Sequence, residues 1–129
     1  MKLCITSDGK SLDSRVEEMF GRAPYFVIVD TETLEAKAIG NTAMGTGHGA
    51  GIGAAQLIAD EGAEAILTGI VGPNAFKALG AAHIKVFEGA SDFDSVKIAM
   101  EKFKKGVYKE ATAPSGGPGG GRRFRGGQW

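Results

Sequence analysis

The stretch Asn41-Thr-Ala-Met-Gly-Thr-Gly-His-Gly-Ala-Gly-Ile-Gly53 divides the chain into two halves of different pattern, and its reading decides the fold. Gly45, Gly47, Gly49, Gly51 and Gly53 stand at every second position, a spacing that no buried face of a helix or strand explains. Glycine admits positive φ and removes side-chain bulk, so a backbone can close around a bound group. The run continues into Ala54-Ala-Gln-Leu-Ile-Ala-Asp-Glu61, which predicts a helix over about 50–61, stopped by Gly62. A glycine loop at a helix N-terminus is a ready anion site, because unpaired N–H groups and the helix dipole point out of it together.

Before this loop the pattern is that of strands. Leu3 to Ser7 alternates, with Leu3 and Ile5 on one face and Cys4 and Thr6 on the other. Tyr25-Phe-Val-Ile-Val29 is continuous enough to be covered on both faces. Asp30 turns the chain, and Thr33 to Ile39 alternates as a half-exposed strand, completing an antiparallel meander. Between the first two strands, Val16, Met19 and Phe20 are expected on the apolar edge of one helical turn, and Pro24 pushes Ala23 away from helix.

After the loop, helices alternate with short apolar runs. Ala65 to Thr68 is a buried strand and Gly69-Ile-Val-Gly72 a second loop. Pro73 stands at the first position of a helix over Asn74 to Leu79, ended by Gly80. Lys85-Val-Phe87 is a further strand. Ser91 with Asp94 resembles a capping box, opening a helix with Phe93, Val96, Met100 and Phe103 on one face. Strands separated by helices imply right-handed crossovers and parallel pairing.

With 129 residues, 43% of them hydrophobic, the chain suits one core. Fifteen basic residues balance fifteen acidic ones, which removes the electrostatic case for a nucleic-acid-binding body. One cysteine precludes an intrachain disulfide, and no apolar run approaches the roughly 20 residues of a membrane helix. The expectation is a soluble cytoplasmic protein with a domain over 1–108 and a disordered Gly/Arg-rich tail over 109–129. The tail's arginines, with Phe124 and Trp129, either solubilise the chain or make a weak contact with RNA or an acidic partner.

Phe20-Gly-Arg-Ala-Pro-Tyr-Phe26, Gly49-Ala-Gly51 and Thr68-Gly-Ile-Val-Gly-Pro-Asn-Ala-Phe76 together resemble the dinitrogenase iron-molybdenum cofactor biosynthesis family, which includes NifX-type carriers and the C-terminal domain of NifB-type proteins. The resemblance spans about Lys2 to Phe103. It implies an α/β, ribonuclease H-like three-layer fold, with a mixed five-stranded sheet of order 3-2-1-4-5 and helices on both faces. It also implies a non-catalytic carrier of an anionic iron-molybdenum or molybdenum–sulfur cluster or its precursor, with a protein partner in cofactor assembly. An interaction protein that has lost the cluster site is the alternative. Many relatives carry histidine directly before Phe-Gly-Arg; here that residue is Met19, a soft, weak ligand more at home in a core.

In an open α/β sheet, ligands sit beyond the C-terminal strand ends at the switch point, here between the first and fourth strands. The expected cofactor-binding residues are Asp8, Arg22, Gly47, His48, Gly49, Gly69, Gly72 and Asn74, with His48 as a metal ligand or else a solvated loop histidine. Gly72-Pro73-Asn74 is either a ligand contact or simply a well-built helix start. The sequence leaves open which way the chain turns after Ile39, and therefore whether the two glycine loops share a rim. Cys4 reads as a buried inert thiol and His83 as a surface or helix-end residue. Enzymatic readings lack parts. The Gly49-to-Ala54 run follows no strand directly and has no acidic partner for a ribose, a two-metal nuclease would need a carboxylate where Thr68 stands, and no serine sits on a nucleophile elbow.

Overall fold

A computed structural model describes residues 1–44 and 50–114. Five strands, β1 (Lys2–Ser7), β2 (Tyr25–Asp30), β3 (Ala36–Gly40), β4 (Ala65–Leu67) and β5 (Lys85–Phe87), form one sheet of order β3-β2-β1-β4-β5. The β1/β2 and β2/β3 pairs are antiparallel; β1/β4 and β4/β5 are parallel. Helices α1 (Ala50–Asp60), α2 (Pro73–Ala81) and α3 (Val96–Lys104) supply the crossovers and the outer cover.

The alternation within β1 sorts its side chains into two cores. Cys4 joins Phe26, Ile28, Ile66, Ile58 and Leu79 beneath α1 and α2. Leu3 and Ile5 join Val27, Val29, Leu67, Val96 and Met100 beneath α3. The sheet is thus the middle of three layers. Cys4 is fully buried, and burial pushes its thiol pKa well up.

Four local expectations are corrected. β3 begins at Ala36 and not Thr33, because the Asp30 carboxylate accepts the amides of Glu32 at 2.8 Å and Thr33 at 3.2 Å and Leu34 adopts φ 65°. The helical turn with Val16, Met19 and Phe20 on one edge does not form. Val16 enters the α3-side core and Phe20 the opposite core, Met19 is 41% exposed, and only Phe20–Arg22 makes a 3₁₀ turn. α2 passes through Gly80; the left-handed residue that ends it is His83, at φ 62°. α3 is capped by Ser95, whose hydroxyl accepts the Ile98 amide at 3.2 Å, while Ser91 accepts the Phe93 amide in the preceding turn and Phe93 is 85% exposed. Beyond α3, Glu110 bridges Phe87 and the Ala111 amide donates to the Val86 carbonyl at 2.7 Å, so two residues expected in the tail pair with β5.

Candidate functional site

The strand pairing places several chain segments at one rim. Ser7 at the end of β1 faces Tyr25 at the start of β2, and Tyr25 faces Gly40 at the end of β3. β4 is parallel to β1, so Thr68 and Gly69 emerge at the same rim. The chain therefore leaves β3 at the rim where β4 ends, and α1 starts there and runs back toward the far edge. The N-terminal turns of α1 and α2 touch: a Cβ on Gly51 would lie 2.9 Å from Cβ of Ala75. Gly53 is equally constrained, since its Cβ would meet Cβ of Ala43 at 2.8 Å. These two glycines let helix N-termini and the 41–44 turn approach closely; the bulk they omit is filled by alanine.

Gly47, His48 and Gly49 lie outside the described residues; their flanks, Met44 and Ala50, belong to this rim. Arg22 ends the 3₁₀ turn that packs beside α1, is exposed, and makes no side-chain hydrogen bond or ion pair among the described residues. Gly72 is the N-cap of α2, with φ −74° and ψ 171°, and supplies no side-chain cap. Asn74, exposed in the first turn of α2, likewise makes no side-chain hydrogen bond among the described residues. Two thioethers, Met19 and Met44 (45% exposed), reach solvent beside these groups.

The loop after β4 is already spoken for along most of its length. The amides of Gly69 and Ile70 both donate to the Glu18 carbonyl, at 2.9 and 2.7 Å, and the Val71 amide donates to Oε2 of Glu88 at 2.8 Å. Gly69 has a packing reason to be glycine, because its Cβ would stand 2.6 Å from the Glu18 carbonyl oxygen. Beneath this loop the Thr6 hydroxyl donates to the Glu17 carbonyl at 2.6 Å and lies 2.8 Å from the Thr68 hydroxyl. Asp8 is committed as well: its Oδ1 accepts the Arg15 amide at 3.0 Å, while its own amide donates to the Arg15 carbonyl. The structure thus places the turn bearing Arg22 beside α1, and Gly72 and Asn74 at the start of the adjoining α2, and uses Asp8 and Gly69 for internal bonding. Sequence reasoning missed Glu18, whose carbonyl organises the loop. It stands in an irregular segment with no periodic signal.

Among the described residues, no group of three or more His, Cys, Asp or Glu side chains could hold a metal ion, and no helix is long and apolar enough to cross a membrane. What the α1–α2 side of the rim offers is one exposed guanidinium, N–H donors and two solvent-exposed thioethers.

Comparison with known proteins adds kinship to this geometry. The apo form of the orange protein from Desulfovibrio gigas superposes with a TM-score of 0.84 at 42% identity, over 88% of this chain and 94% of that one. The solution structure of a Thermotoga protein provisionally assigned as NifB gives a TM-score of 0.74 at 36% identity, covering 87% and 94% of the two chains. An uncharacterized protein of Methanocaldococcus jannaschii is 33% identical over 106 residues, which are 78% of this chain and 86% of its own. The sequence profile described as dinitrogenase iron-molybdenum cofactor matches residues 1–106, and the chain belongs to that family.

Proposed function

We propose that this domain is a non-catalytic carrier that holds an anionic metal–sulfur species, of the iron-molybdenum or molybdenum–sulfur kind, as cargo at the rim where α1 and α2 begin. The observation that carries the reading is the side-by-side start of the two helices, with Gly72 leaving the first turn of α2 without a side-chain cap. Both helices start at this rim with their first turns in contact, so the positive ends of their dipoles lie side by side. Arg22 supplies a planar fork of donors, suited to oxyanion or sulfide edges. Asn74 adds amide donors, and Gly47, His48 and Gly49, which lie in sequence between Met44 and Ala50, belong to the proposed binding set.

The donor set fits a caged anion better than a coordinated metal. Histidine, thiolate and carboxylate clusters are missing among the described residues, so the cargo is held by charge and N–H donors, with His48, Met19 or Met44 adding at most single soft contacts. Within this reading Asp8 and Gly69 act indirectly, by fixing the loops. The ribonuclease H-like classification and a cytoplasmic location go with it, as does a protein partner that delivers or accepts the cargo.

Anaerobic titration with tetrathiomolybdate, followed by visible absorption and metal analysis after desalting, tests the reading. Saturable one-site binding is expected, weakened about tenfold in Arg22→Ala, the scale of one charge-assisted hydrogen bond. Binding weaker than about millimolar, where the free energy is only ~4 kcal/mol, overturns it.

A further inference from the structure

A second concavity opens on the α3 side of the same rim. Its volume is about 390 Å³, and Glu18, Gly69, Ile70, Gly89, Ala90, Ser91 and Phe93 line it. Its electrostatics are opposite to those of the cargo rim. Oε2 of Glu18 accepts the Asp92 amide at 2.9 Å, and neither carboxylate has a cationic partner among the described residues. An anion does not belong there.

The mouth carries a rigidly held aromatic. Phe93 exposes 85% of its surface, yet its amide donates to Oγ of Ser91 at 3.0 Å and its carbonyl accepts from Nη1 of Arg15. Asp94 donates to the Ser91 carbonyl at 3.1 Å, closing the turn. A phenylalanine fixed through its backbone and bare at its ring is preorganised for an apolar or cationic occupant.

The chain itself contains a segment of matching chemistry. Three of its 15 basic residues, Arg122, Arg123 and Arg125, stand after residue 114 and none of its 15 acidic ones does, so the preceding part carries a net −3 and the remainder +3. Phe124 sits among those arginines. The segment is also rooted beside the cleft: Glu110 bridges Phe87, and a Cβ on Gly89 would lie 4.0 Å from the Tyr108 ring. Seven residues stand between Pro114 and Arg122, a reach of up to about 28 Å over the eight steps, enough to fold back past the short β5.

We propose that the Glu18–Phe93 cleft is the seat of the chain's own Arg122-Arg-Phe-Arg125 arm. Guanidinium groups meet Glu18 and Asp92, and Phe124 or an arginine plane lies against Phe93. This assignment does not rest on the cargo reading.

The test compares amide shifts of the full chain with those of the R122S/R123S/R125S variant. Gly69, Ile70, Ala90 and Phe93 are expected to shift, independently of protein concentration, and the difference is expected to vanish at molar salt. Glu18→Gln, which keeps an oxygen acceptor for Asp92, is expected to shrink it without altering the fold. A spin label on Gln128→Cys, selective because Cys4 is buried, is expected to broaden Ile70 and Phe93. Unchanged cleft amides, or broadening centred elsewhere, overturn the proposal. Shifts that grow with concentration also overturn it, because they assign the arm to a second copy.

Discussion

At the scale of single residues, Gly69 and Cys4 carry the clearest consequences. The contact that Gly69→Ala would create is with backbone atoms of Glu18, the carbonyl oxygen at 2.6 Å and Cα at 2.9 Å, which no rotamer change relieves. The loop must move, and both amides that Glu18 accepts move with it. Urea unfolding is expected to show a loss of about 1–3 kcal/mol, the usual cost of overpacking. Gly21→Ala, which meets nothing within 4 Å, is expected to stay within about 0.5 kcal/mol. Cys4 makes a kinetic prediction. Its thiol is buried in the middle strand and its pKa is raised by desolvation, so a disulfide reagent is expected to react only through unfolding, at a rate that plateaus with reagent concentration. The pH dependence has a fixed sign. The native state keeps the thiol protonated where the unfolded chain ionises it, so this contribution is intact below the unfolded thiol pKa of about 8.5. It declines as pH rises from there toward the higher native value. Cys4→Ser is expected to flatten that alkaline decline in a plot of unfolding free energy against pH.

At the scale of elements, helix ends separate what local sequence can say from what it cannot. Ser95 and Ser91 both precede α3 and both are good capping residues; only Ser95 reaches the Ile98 amide, because the Arg15–Ser95 bridge fixes where the helix begins. Ser95→Ala is expected to cost about 1 kcal/mol in chemical denaturation. The end of α2 has the opposite character. Gly80 stays helical and His83 takes the left-handed position, so His83→Gly is expected to stabilise by about 0.5–1 kcal/mol, the relief of αL strain less the added entropy of the unfolded chain. Calorimetry on the two variants reads both signs. The strand order was legible because its signals are local: alternation in β1, a continuous apolar β2, and glycine or proline at each crossover. Residues 11–22 were not, because what shapes them is distant. Val16 and Phe20 enter opposite cores, and the Glu18 carbonyl answers amides beyond β4. The same reason divides the candidate site. Glycine and Pro73 announced both helix starts, whereas nothing near Gly69 in the sequence announces that its amide is already taken.

At the scale of the whole molecule, the sheet gathers the ends of β1, β3 and β4 and the starts of α1 and α2 at one rim, while the two cores lie behind it. Under the proposed carrier reading, cargo at this rim would touch segments from both halves of the chain, the meander through Arg22 and the crossover half through α1 and α2. Such a ligand stabilises the native state as a unit, since the unfolded chain has no adjacent helix starts to offer. At one hundred times its dissociation constant, tetrathiomolybdate is expected to add about 2.7 kcal/mol. For a domain of this size each kcal/mol moves the melting temperature by roughly 4 °C or more, so an increase of about 10 °C is expected in an anaerobic thermal melt. Because the rim is open to solvent and the attraction is between charges, raising the salt from about 0.1 to 1 M shortens the screening length from about 10 to 3 Å and is expected to remove much of the gain. Arg22→Ala is expected to reduce the shift while leaving the ligand-free melt nearly unchanged, since that side chain bonds to nothing among the described residues. A thermal shift that survives both salt and Arg22→Ala would place the ligand away from this rim.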